Sequence, residues 1–173
     1  CFKRRIVMKN LLIDTRDVRF VLYEMLDVDS LISFDRFSAF DHDTFDSVLD
    51  LVESLSVKEC YPGFARADRE GCTWFPETKQ VTCTTAIKEP LRKIYDAGLL
   101  GIVDSPDIGG MGMPQAVGAA YLEFISAANQ PLLMYPALAH GAMMLIDKFG
   151  TAEQKQTFVP RMMPKGADRE TVQ

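Results

Sequence analysis

The 173 residues carry 19 basic and 24 acidic side chains, a net charge of −5, with 47% hydrophobic residues. This acidic balance argues against a nucleic-acid partner and against a membrane surface, since both reward clustered Lys and Arg. Length and apolar content fit one soluble globular domain that buries roughly two-thirds of its unfolded surface.

The opening "CFKRRIV" is basic but has no long apolar stretch and no cleavage site, so it is not read as a secretory signal. Residues 1–7 are expected to be leader residues left by upstream sequence, with Met8 as the natural start. The cysteines, Cys1, Cys60, Cys72 and Cys83, form no C-x-x-C pair, and the histidines are His42 and His140. No metal site is expected, and the thiols are read as free ones in a reducing compartment.

"TRDVRFVLYEML" places Val18, Val21, Leu22, Met25 and Leu26 on one side of a helix, with Thr15 as its cap. "DHDTFDSVLDLVESLSVKEC" puts Phe45, Val48, Leu49, Val52 and Leu55 at helical spacing, and its early carboxylates suit the positive end of the helix dipole. Pro62 and Gly63 are expected to break regularity in "YPGFARADREG". "CTWFPETKQVTC", aromatic and branched around a polar centre, predicts a short hairpin or extended flap near 72–85. In "EPLRKIYDAGLLGI", Pro90 reads as a first-turn residue of a helix aligning Leu91, Ile94, Tyr95 and Leu99.

The glycine cluster "GGMGMP" lies where a phosphate cradle would lie if a strand preceded it. It fails the dinucleotide pattern at the third glycine, and no Lys follows as a Walker loop requires. The segment before it has helical spacing, and no repeated β-α-β units surround it. The glycines are therefore read as a tight connector, with Pro114 starting a helix that buries Val117, Ala120, Tyr121, Phe124, Ile125 and Ala128. Glu123 on that helix reads as an ordinary surface acid.

"PLLMYPALAHGAMMLI", Pro131 to Ile146, is shorter than the roughly 20 residues a bilayer needs and contains Pro136, so a buried core helix is expected. His140 within it reads as a satisfied core or pocket-lining histidine, not a base. Thr151 with Gln154 forms a capping-box signature for a last helix, whose apolar side carries Phe158, Val159, Met162 and Met163 around Pro160.

Taken together, "AGLLGI…SPDIGGMGMP…AYLEFISAAN…YPALAHGAMMLIDKFGTAEQKQTFVPRMMPKG" resembles the N-terminal α-helical domain of the acyl-CoA dehydrogenases. The upstream "RDVRFVLYEMLDVDSL" and "ADREGC" are similar to the N-terminal extension of a longer-chain subgroup, which includes bacterial enzymes acting on unusual or thioether acyl groups. The resemblance implies an all-α fold with a short hairpin or flap. It implies an N-terminal extension over 8–40, a helical domain over 41–166 and an off-pattern tail, "ADRETVQ", over 167–173. In the family an FAD cofactor and a catalytic Glu reside in later domains, so no residue here is assigned a catalytic or cofactor-binding role, and no FAD is expected to bind this chain alone. The helix matching "LLMYPALAHGA" lines the far end of the acyl pocket, which nominates Leu133, Met134, Ala137, Leu138 and Gly141; simple core packing is the alternative.

Three readings follow. The chain is a truncated cytoplasmic acyl-CoA dehydrogenase domain, inactive alone. It is a complementing subunit of a split dehydrogenase. Or it is a non-enzymatic helical binding module. In the first, acyl-CoA binds only with the missing domains, and the surface around "LLMYPALAHGAMML", with the Met162 and Met163 side of the last helix, is left exposed and drives homo-oligomer formation.

Overall fold

The computed structural model describes residues 12–163. The leader expected over 1–7, Met8, and the tail over 167–173 lie outside the described residues. Among the described residues the fold is all-α, with one two-stranded antiparallel sheet.

Helix α1 (Thr15–Arg19) is capped by Asp14, not by Thr15, which is the first helical residue. The Asp14 carboxylate accepts the Arg16 N–H at 3.1 Å. The chain then widens into a π-turn over Phe20–Met25. A wider turn rotates later residues away from the side that a 3.6-residue period assigns them. Val18 and Leu22 are buried as expected, whereas Val21, Met25 and Leu26 face solvent. Arg19 and Tyr23 join this segment to α2 (His42–Leu55) through Asp46, at 3.1 and 2.9 Å.

Asp41 caps α2 through the Thr44 N–H at 2.7 Å, and Phe45, Leu49 and Val52 are buried in the centre of the core. The expected break at Pro62 and Gly63 does not interrupt helical backbone. A π-turn over Ser56–Cys60 and a 3₁₀ turn over Tyr61–Gly63 lead directly into α3 (Phe64–Glu70). Pro62 falls in the first turn of the restarted segment, where a missing N–H costs nothing. Gly63 allows close approach, since a Cβ there would lie 2.8 Å from the Ala86 carbonyl oxygen.

The predicted hairpin forms from β1 (Cys72–Phe75) and β2 (Gln80–Cys83), and Cys72 pairs with Cys83. Helix α4 (Thr85–Asp96) begins five residues before Pro90, so the expected first-turn placement of that proline is corrected. Thr84 supplies the cap by accepting the Ala86 N–H at 3.1 Å. Pro90 removes only the bond to Ala86 O, the carbonyl against which Gly63 packs.

Helix α5 (Gln115–Phe149) holds the fold together. All six residues predicted for its buried side, from Val117 to Ala128, are buried. At Asn129 the backbone leaves helical geometry (φ −162°, ψ 81°), and a second helical half begins. The Asn129 side-chain oxygen accepts the Leu132 N–H at 3.1 Å, and its amide donates to the Cys60 carbonyl at 3.1 Å. The break is a capped restart, with Pro131 in the new first turn.

The expectation of a buried helix over Pro131–Ile146 is overturned. Leu132, Leu133, Pro136 and Met143 are buried, but Leu138 is 72% and Leu145 61% exposed. The helix outruns the main core, and beyond Ala137 it rests on a small cluster with α6 (Ala152–Met162). The capping box of Thr151 and Gln154 is present. Of the side assigned to α6, Val159 and Met163 are buried and Met162 partly so, while Phe158 is exposed; the Met163 surface is therefore not free.

Asn129→Ala should lower the unfolding free energy by about 2 kcal/mol, because it removes a helix cap and takes a side-chain donor from the Cys60 carbonyl. Asn129→Asp keeps the cap oxygen but buries a carboxylate and sets its second oxygen against the Cys60 carbonyl, so it should cost at least as much as Asn129→Ala. Urea unfolding followed by circular dichroism measures both, and an alanine variant as stable as wild type would remove Asn129 from this role.

Candidate functional site

The second half of α5 presents an apolar surface that the described chain does not cover. Met134, Tyr135, Leu138, Met144, Leu145 and Phe149 are all exposed, Phe149 at 78%. Met134, Leu138, Gly141 and Leu145 recur at helical spacing and form one outward stripe. A Cβ at Gly141 would meet nothing within 4 Å, so the stripe has a recess there.

The five residues nominated from sequence divide between two neighbouring sides. Met134, Leu138 and Gly141 lie on the open stripe, whereas Leu133 is buried at 5% exposure and Ala137 packs partly against the main core. Tyr135, Leu145 and Phe149 extend the open surface and were not nominated. Continuing the same spacing past Gly141 finds Leu145 and Phe149.

The glycine loop between α4 and α5 closes one end of this helix. Gly98, Gly109 and Gly112 have φ of 73°, 100° and 76°, the left-handed region that glycine favours. A Cβ on Gly110 would lie 2.2 Å from the Asp104 carbonyl oxygen, so side-chain substitution there collides with backbone. The amides of the loop are occupied internally. Gly110 donates to Ser105 O, Met111 to Gly101 O, Gly112 to Asp104 O and Met113 to Ile102 O, at 2.8–3.0 Å. With those N–H groups committed and with Asp104 and Asp107 in the loop, it does not fit a nucleotide phosphate, and it serves as a connector.

One polar contact ties the loop to the open half of α5. His140 Nε2 lies 2.7 Å from Asp104 Oδ2; the Asp104 side chain is 1% exposed and that of His140 27%. Asp104 Oδ1 is buried without a partner. The hydrogen bond to Asp104 and the carboxylate charge outweigh desolvation and raise the His140 pKa. His140 is thus a paired histidine at the edge of the open stripe. Glu123 is exposed on the first half of α5 and borders a cleft of about 460 Å³ with Asp14, Asp17, Val21 and Leu26. No histidine is among the residues lining that cleft.

Among the described residues, no group of three or more His, Cys, Asp or Glu gathers as a metal set, and no helix is long and apolar enough to cross a membrane.

The family described as acyl-CoA dehydrogenase, N-terminal domain, matches residues 43–165. The chain belongs to the acyl-CoA dehydrogenase family. It is 32% identical over 143 residues to a broad-specificity linear acyl-CoA dehydrogenase of Mycobacterium tuberculosis, covering 83% of this chain and 23% of that protein. It is 28% identical over 156 residues to a butyryl-CoA dehydrogenase of Syntrophomonas wolfei, covering 89% and 25%. It is 22% identical over 148 residues to a 3-methylmercaptopropionyl-CoA dehydrogenase of Ruegeria pomeroyi, covering 86% and 25%. The chain spans about a quarter of the length of the curated relatives it matches. Within the acyl-CoA dehydrogenase match lie the glycine loop, the outward stripe and the Asp104–His140 pair.

The pair gives a pH dependence of definite sign. A histidine whose folded pKa exceeds the ordinary 6.5 adds stability that is fully present below that value and is lost as pH rises through the folded pKa. Wild-type stability to urea should therefore fall as pH rises above about 6.5, and His140→Gln should flatten that fall. His42, raised in the same direction by Asp29, is the other contributor, so the comparison is made in a His42→Gln background. An undiminished slope in the doubly substituted chain would refute the assignment.

Proposed function

We propose that this chain is the helical N-terminal part of an FAD-dependent acyl-CoA dehydrogenase and that the outward stripe of α5 forms one wall of its acyl-chain pocket. The observation that carries the reading is the recessed apolar stripe of Met134, Leu138 and Gly141, which lies inside the family match and is open to solvent. The three relatives named above all act, by name, on acyl-CoA thioesters, and they differ in the acyl group. That pattern supports acyl-CoA as the substrate class. On this reading the enzyme removes hydrogen across the α and β carbons of the acyl chain and works in the cytoplasm, in fatty-acid metabolism.

The flavin and the base that abstracts the α-proton are assigned to sequence beyond this chain. The amides from Gly110 to Met113 are all bonded to carbonyls, so the glycine loop offers no free cradle for the FAD diphosphate. The contribution of this chain is shape and dryness: an apolar boundary selects acyl length and excludes water from the reacting carbons. Alone, the chain binds no flavin and turns over no acyl-CoA.

The wall is tested in a chimera in which this chain replaces the matched quarter of the Mycobacterium tuberculosis relative. Filling the recess with Gly141→Phe should cut kcat/KM for long-chain acyl-CoA at least about tenfold, or about 1.4 kcal/mol, and leave butyryl-CoA within about twofold. Unaltered chain-length preference would exclude the stripe from the pocket. The chain by itself, incubated with FAD and desalted, should be colourless; stoichiometric flavin absorbance would show that it holds the cofactor.

The same exposed stripe should make the isolated chain self-associate. Apolar patches beyond a few hundred Å² are uncommon on soluble monomers, and burying about 1,000 Å² offers roughly 25 kcal/mol before association and ordering costs consume most of it. A two-fold contact closes and leaves no free sticky face, so a dimer is expected at micromolar concentration. Leu138→Glu, on a residue 72% exposed, should shift it to monomer without unfolding it. Sedimentation of the wild-type chain as a monomer at tens of micromolar would overturn this.

A further inference from the structure

The hairpin brings together two thiols that are eleven positions apart in sequence. Cys72 and Cys83 are direct partners in the antiparallel register, at the end of the ladder away from the turn. Their sulfurs lie 3.4 Å apart, and both cysteines are free. Opposed residues of an antiparallel pair have Cα atoms about 4.5–5.5 Å apart, inside the range that a disulfide spans, so bond formation requires no strand movement. Cys72 is exposed and Cys83 half-buried, so a small oxidant has access.

A third group completes the cluster. The Tyr135 hydroxyl, from the open half of α5, lies 3.0 Å from Cys83 Sγ and 3.6 Å from Cys72 Sγ. Through Tyr135 the two thiols join the hairpin to the open half of α5. Hydrogen bonds from Tyr135 and Cys83 hold the Cys72 thiol below its ordinary pKa, which favours the thiolate, the reactive form. Cys60 provides the contrast: it is buried, and desolvation pushes its pKa up to about 11.

We propose that Cys72 and Cys83 form a reversible dithiol–disulfide site that reacts with hydrogen peroxide, with Cys72 as the attacking thiol and Cys83 as the resolving one. The Cys72 thiolate attacks one peroxide oxygen, the O–O bond breaks, and the leaving oxygen departs as water after taking a proton. The resulting sulfenic acid is attacked by Cys83 sulfur, which loses its proton as the sulfenic oxygen departs as a second water. The two thiols are oxidised by two electrons, and the peroxide is reduced to two waters. Because the resolving sulfur already touches the attacking one, disulfide formation outruns further oxidation. A disulfide sulfur is a poorer partner than a thiol, so oxidation frees the Tyr135 hydroxyl and loosens the hairpin from the open half of α5 while locking the hairpin itself. A reductant of the thiol class restores both contacts.

The test is mass spectrometry of the full chain after a few equivalents of hydrogen peroxide. Lys79 lies between the two cysteines, and Arg69 and Lys88 flank them, so trypsin should release two peptides joined by one disulfide, about 2 Da lighter than their sum. Dithiothreitol should separate them. Cys83→Ser should lose the cross-link and accumulate sulfenic or sulfinic acid at Cys72, whereas Cys60→Ser and Cys1→Ser should cross-link like wild type. A cross-link between chains, a bond to Cys60 or Cys1, over-oxidation of Cys72 in the wild type, or unchanged thiols would each overturn the proposal.

Discussion

The placement of every apolar side chain beyond residue 129 depends on one buried amide. Asn129 is 1% exposed, and it spends both ends of its side chain on backbone: the oxygen on the Leu132 N–H, the nitrogen on the Cys60 carbonyl. A straight helix through Pro131 would set the proline ring against the carbonyl four residues earlier and lose that hydrogen bond. The extended backbone at Asn129 removes the conflict, and the cap repairs the restarted end. The bond to Cys60 does more, because it fixes the break against the end of the α2 segment. It thereby sets the direction in which the second half of α5 leaves the core. The exposed stripe is a consequence of that direction.

The two halves of α5 also show what a sequence can and cannot disclose. In the first half, apolar and polar residues alternate at helical spacing, and six residues from Val117 to Ala128 could be placed on the buried side from spacing alone. In the second half nearly every residue is apolar, so the pattern has no contrast and cannot say which side is covered. Core burial was the default reading there, and it failed at Leu138 and Leu145. Local chemistry was similarly readable where a motif carries it, as in the Thr151–Gln154 capping box. It was unreadable where the backbone departs from the 3.6-residue period, as at the π-turn that exposes Val21, Met25 and Leu26. The Cys72–Cys83 pair needed a strand register, and the Asp104–His140 contact a tertiary fold; neither separation is a recognised spacing.

The glycine loop illustrates how an ambiguous motif is resolved by hydrogen-bond accounting. A cluster of glycines can free amides for an anion, or it can let backbone approach backbone. Here the amides from Gly110 to Met113 all point at carbonyls of the preceding turn, and the Gly110 Cβ position is filled by the Asp104 backbone. Nothing is left over for a phosphate. What the loop does offer is a buried carboxylate, Asp104, held where it meets His140. The pair spans the junction between the connector and the open half of α5. A helix supported at this point by only a small apolar cluster gains a directional restraint there that van der Waals packing does not supply.

The apolar residues of the outward stripe are not needed to make their helix. Leu, Met and Ala favour helix, but so do Glu, Lys, Gln and Arg, which would cover a solvent-facing side equally well. Nor does the local core require them, since Met143, with Val159 and Met163, already closes the contact to α6. A chain whose composition is otherwise a quarter charged has none of its charges at Met134, Leu138, Gly141 or Leu145. The constraint on those positions therefore comes from what the stripe faces and not from the fold that carries it. Leu138 at 72% exposure and a glycine with open space beside it describe a surface shaped to be covered. A flexible apolar chain entering a recess and a second apolar surface laid across it both meet that description. They differ at Gly141: a thin ligand uses the recess, whereas a flat partner leaves it empty.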